Sequence, residues 1–129
     1  MGIAQVLRSI PKVEDPNLLV GTETHDDAGV YKLTEDLALV QTIDFFPPVV
    51  NDPFIYGQIA AANALAAVYA LGGRPLNALN VMGVPDERVP PEVIAASLRG
   101  GAAKAREAGC AIVGGHTIRN PEPIYGMSV

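Results

Sequence analysis

The chain has 129 residues, 49% of them apolar and 18% charged, with 14 acidic against 9 basic side chains and a formal net charge of −5. That length fits one domain, able to bury about two thirds of its unfolded surface. An acidic chain without a Lys/Arg cluster repels phosphate backbones, which argues against nucleic acid as a partner, and an anionic ligand must arrive with metal ions or meet backbone N–H groups. Soluble domains average about 25% charged residues, so the shortfall predicts that another copy or another domain covers some apolar surface.

In chain order, residues 3–10 read as helix, with no secretory leader and with Val6 where a myristoylation start needs a hydroxyl. A β-rich run at 18–20 continues through 30–33, and the polar stretch around Thr34-Glu35-Asp36 predicts a hairpin turn into a strand at 37–43. Asp52 is a good N-cap and Pro53 suits the first helical position, so a long helix is expected up to Gly72-Gly73. No charge interrupts 53–71, but Gln58, Asn63 and the many alanines point to a buried helix rather than a membrane span.

A strand at 76–84 follows. Pro90-Pro91 then opens a second helix through Ile94, Leu98, Ala102 and Ala105 to Ala108, with Lys104 and Arg106 near its carbonyl end and Gly109 closing it. Strands are expected at 111–113 and 124–129. The mixture predicts an α+β domain, with helices on one face of a mixed or antiparallel sheet. The last run has no turn after it, and the first residues already lie in an element, so a single domain over 1–129, cut at both ends, is expected. Cys110, the one cysteine, reads as a small buried hydrophobe in a reducing, cytoplasmic compartment.

Three stretches carry polar chemistry. Thr22-Glu23-Thr24-His25-Asp26-Asp27-Ala28-Gly29 places adjacent carboxylates between apolar runs, which suits Mg²⁺ shared with substrate phosphates, against the alternative of a solvated turn. Asp44 follows the predicted strand and precedes Phe45-Phe46-Pro47-Pro48, so it is either a rigidly held carboxylate or a strand-end cap. Gly114-Gly115-His116-Thr117 follows the run 111–113. Two glycines there let a phosphate or ribose approach the backbone with His116 as a donor, and a plain turn is the competing reading. Neither zinc spacing nor a Walker loop nor a nucleophilic triad is present, and no catalytic residue is assigned.

In order, Gly21–Tyr31, Thr42-Ile43-Asp44-Phe45-Phe46, Ala61-Ala62-Asn63-Ala64-Leu65, Ala70-Leu71-Gly72-Gly73-Arg74-Pro75, Val113–Thr117 and Pro121-Glu122-Pro123 resemble the selenophosphate synthetases (selenide, water dikinases). These belong to the wider superfamily of aminoimidazole ribonucleotide synthetase. The resemblance covers nearly the whole chain and implies an amino-terminal domain of that superfamily's fold, in an enzyme turning ATP, selenide and water into selenophosphate, phosphate and AMP. It implies Asp27 as a Mg²⁺ ligand, and Thr24, His25, Asp26, Asp44, Gly114, Gly115 and His116 around the nucleotide. It also implies a homodimer whose amino-terminal strands close a barrel.

Three departures go with it. The reactive Cys or selenocysteine with its Lys, expected upstream, is not in the chain, and neither is the carboxy-terminal domain. After Asn63-Ala64-Leu65 the family has a metal-binding Asp where Ala67 stands, one helical turn from Asn63. A non-catalytic dimerisation module, or a relative acting on another substrate, therefore stays open as an alternative.

Overall fold

Local capping sets both ends of the first long helix and the end of the second in the computed structural model, which describes residues 3–12, 14–21, 28–85 and 89–129. Asp52 accepts hydrogen bonds from the Phe54 and Ile55 amides, 2.9 and 3.2 Å away, and starts the helix Pro53–Ala70. Gly72 stops it in the left-handed region at φ +76°, and Gly109 does the same at φ +71° after the helix Pro91–Glu107. The elements run α1 (Ile3–Arg8), β1 (Leu18–Val20), β2 (Ala28–Thr34), β3 (Leu37–Phe46), α2 (Pro53–Ala70), β4 (Asn77–Val84), α3 (Pro91–Glu107), β5 (Ala111–Arg119) and β6 (Ile124–Ser128).

The strands form one mixed sheet in the order β1-β2-β3-β6-β4-β5, with β4 and β5 parallel and the other neighbours antiparallel. This is the expected α+β class. Sequence patterning differs from the outcome in three places. Residues 18–20 and 28–34 are two antiparallel neighbours rather than one run, with Leu18 opposite Tyr31. Strand β3 continues past Ile43 through Asp44 to Phe46, because β6 pairs with those residues. Strand β5 continues past Val113 through Gly114, Gly115 and His116 to Arg119, because β4 supplies a parallel partner along that length. The double glycine is therefore extended strand and not a turn.

Helices α2 and α3 lie together on one face of the sheet. Beneath them Tyr125 and Met127 of β6 are fully buried, joined by Tyr56, Ala60, Ala64 and Leu65 of α2 and by Ala78 and Met82 of β4. Burying side chains the size of Leu65, Met82 and Met127 stabilises by about 1.5–3 kcal/mol each, and the alanines contribute less. The Tyr56 ring meets Tyr125 edge-on with centroids 6.2 Å apart, and the Tyr125 hydroxyl donates to Asn80 Oδ1 at 2.8 Å, so the polar end of the buried ring is satisfied. Cys110 is buried as expected, and burial pushes its thiol pKa up.

The other face of the sheet has no such cover. Ile43, Phe45, Leu79 and Ile118 project from it, each between 44% and 59% exposed. Among the described residues no helix is long and apolar enough to cross a membrane.

Candidate functional site

Alternation along β3 sorts its side chains. Thr42, Asp44 and Phe46 face the helices, while Ile43 and Phe45 face the open side. Asp44 is thereby half-buried beside α2, where the Asn63 side-chain amide donates to its Oδ2. The two residues border a groove of about 430 Å³ whose other walls are Thr42, Ile43, Ala66, Ala67 and Ala70. Three small side chains on one face of α2 leave that space, and Ala67 is the one at helical spacing from Asn63. Ala28, the first described residue after the acidic stretch, pairs directly with Thr42 at the groove wall.

Thr24, His25, Asp26 and Asp27 lie outside the described residues. Of the remaining expected site residues, the structure brings Asp44 and Gly115 into one cross-strand row: Asp44 is opposite Met127, Met127 opposite Asn80, and Asn80 opposite Gly115. Three strand spacings separate the ends of that row by roughly 14 Å. Gly115 sits on the helix side, where a Cβ would fall 2.6 Å from the Asn80 carbonyl oxygen, so only glycine allows this approach to β4. Gly114 and His116 are turned the other way, beside Leu79 and Val81 on the open face, and both are exposed. Asp44 and His116 are thus on opposite sides of one sheet.

Sequence patterning missed Asn63 as the partner of Asp44. Its spacing of four from position 67 marks the helix face, but which strand that face meets is a tertiary fact. Thr42 was missed for the same reason.

Among the described residues no group of three or more His, Cys, Asp or Glu side chains could hold a metal ion. The groove supplies one carboxylate, one amide and a neighbouring hydroxyl, all hard oxygen or nitrogen groups without a thiol. Mg²⁺ typically keeps several waters and takes one or two carboxylates together with substrate phosphates. The donors fit that role, and they do not make a cage that would grip a bare ion.

A sheet of this order with both long helices on one side, carrying a carboxylate groove at β3 and glycines in β5, defines a class. Residues 25–129 match the family model described as AIR synthase related protein, N-terminal domain, and the chain belongs to that family. Within it, the chain is 56% identical to a selenide, water dikinase of Carboxydothermus hydrogenoformans over 127 residues, which is 98% of this chain and 37% of that protein. It is 55% identical over the same length to one from Myxococcus xanthus, covering 36% of it. The chain therefore matches the amino-terminal region of these enzymes and spans a little over a third of their length.

Solved structures agree on the fold. A thiamine-monophosphate kinase from Stenotrophomonas maltophilia superposes with a TM-score of 0.63 at 24% identity, over 97% of this chain and 38% of that one. AaThiL complexed with AMPPCP and TMP gives 0.72 at 20% identity, over 80% and 34%.

Proposed function

We propose that this chain is the ATP–Mg²⁺-binding amino-terminal domain of a selenide, water dikinase, which makes selenophosphate from ATP, selenide and water in the cytoplasm. The observation that carries the reading is the Asp44–Asn63 groove in a chain over half identical to selenide, water dikinases along nearly all its length. An acidic domain binds polyphosphate only with cations interposed, and Asp44 supplies one oxygen ligand for such a cation. Mg²⁺, when bound, screens the phosphate charge and polarises the phosphoryl oxygens. Asp27 as a Mg²⁺ ligand and Thr24, His25 and Asp26 around the nucleotide belong to this reading through the sequence resemblance alone.

Asp44 and His116 open onto opposite faces of the sheet, so a nucleotide touched by both would be held by two copies of the chain. The apolar open face, with Ile43, Phe45, Leu79 and Ile118 exposed, supports a homodimer closed through that face. Gly114, Gly115 and His116 of one copy would then serve the groove of the other by reaching it round the ends of the strands rather than across the sheet.

Ala67 favours a second reading, a domain kept for dimerisation with weakened nucleotide binding. Calorimetric titration of the chain with ATP and Mg²⁺ separates the two. Metal-dependent binding supports the enzyme reading, whereas a dimer that takes up no nucleotide supports the module.

A further inference from the structure

We infer that Asn63 is a positioning residue for the metal–nucleotide groove, acting through the Asp44 carboxylate. This rests on the reading of the groove as a metal–nucleotide site. An ionised carboxylate only accepts hydrogen bonds, so the Asn63 amide nitrogen must be the atom turned toward it. That fixes both ends of the contact: the Asn63 amide nitrogen donates and Asp44 Oδ2 accepts.

The two residues are 19 apart in sequence and come from different layers, a strand and a helix, so the contact bridges α2 and β3 at the groove mouth. Without the amide, a half-buried Asp on a strand is free to change χ1 and turn its carboxylate away. Nothing else polar on this face of α2 can take over, since the groove's other α2 residues are Ala66, Ala67 and Ala70. A chain with alanine at 67 thus depends on Asn63 more than one with a second carboxylate there. Asn63 itself is exposed and outside the core, so replacing it leaves the packing intact.

Titration of ATP into the chain, once with Mg²⁺ and once with a chelator, tests this with Asn63→Ala. The expected result is a loss of about tenfold in affinity for ATP with Mg²⁺, the scale of one hydrogen bond to a charged group, and no change for ATP without metal. An equal loss in both titrations, or none in either, overturns the inference. A second measurement needs no nucleotide. The Asn63 side-chain amide protons, read by nitrogen-15 NMR, should be displaced from free-amide positions and move to them in Asp44→Ala. Free-amide positions in the unaltered chain refute the contact. If the unaltered chain binds no nucleotide, the proposed function falls, and the amide spectrum alone decides whether Asn63 orients Asp44.

Discussion

Gly57 of α2 faces the backbone of Ser97 on α3 so closely that a Cβ on the glycine would stand 1.9 Å from the Ser97 carbonyl oxygen. The relation is reciprocal along the helix pair, since a Cβ on Gly100 would stand 2.0 Å from the Phe54 carbonyl oxygen. Backbone cannot rotate away as a side chain can. Gly57→Ala and Gly100→Ala should therefore separate α2 from α3 and lower stability by about 3 kcal/mol or more, beyond the usual range for an added methyl group. Gly72→Ala, where nothing stands within 4 Å but φ is +76°, should cost only about 1 kcal/mol. Urea unfolding midpoints of the three variants check the ranking, and equal effects would contradict the packing argument.

The devices that end helices were legible in the sequence because they are local. Asp52, Pro53, Gly72 and Gly109 do in the structure what residue chemistry says they do. Strand lengths were not legible at Asp44 and at Gly114-Gly115, where an aromatic–proline stretch and a double glycine imitate turns. What keeps those residues extended is pairing with β6 and β4, Asp44 with Met127 far along the chain in one case and the glycines with β4 across α3 in the other. The last strand, β6, inserts between β3 and β4, and no local pattern announces an insertion. The groove was half legible for the same reason: Asp44 stood out by its type, while Asn63 became meaningful only when α2 was laid over β3.

Ala67 lines the groove at 9% exposure, one helical turn from Asn63. Ala67→Asp should add a second carboxylate facing the space beside Asp44. In the absence of metal, two partly buried carboxylates repel and the new one is desolvated, so stability should fall by about 1–3 kcal/mol. Mg²⁺ should restore it, because an ion bound only by the folded state stabilises in proportion to its saturation. Thermal melts with and without Mg²⁺ check this. A variant destabilised to the same degree in both would show that the carboxylate does not face the groove.

Burial pushes the Tyr56 hydroxyl pKa up to about 12 and raises that of Tyr125 further, with the nearby Tyr56 adding to the effect on Tyr125. Unfolded tyrosines titrate near pH 10. Between these values the folded chain holds protons that the unfolded chain has released, so stability is complete below about pH 10 and falls as the pH rises toward 12. The loss is roughly 2–3 kcal/mol over that window for Tyr56 alone. Tyr56→Phe should flatten the alkaline limb of the stability–pH curve while leaving its slope near neutrality unchanged. An alkaline limb as steep as in the unaltered chain would mean that Tyr56 ionises freely in the fold.

Asp44 and His116 on opposite faces of one sheet give a direct test of a shared site. Asp44→Asn and His116→Ala should each weaken ATP–Mg²⁺ binding when alone in a homodimer. Mixed by unfolding and refolding together, the two variants form mixed dimers in which one of the two sites draws its Asp44 and its His116 from unaltered positions. With random pairing, roughly a quarter of all sites should regain full affinity. Phe45→Glu, which puts a charge on the apolar open face without touching the core or the groove walls, should abolish both the dimer and this recovery. Binding in the mixture no better than in either variant alone would mean that each groove works within its own chain. His116 would then stand apart from the groove, on the opposite face of the same sheet from Asp44.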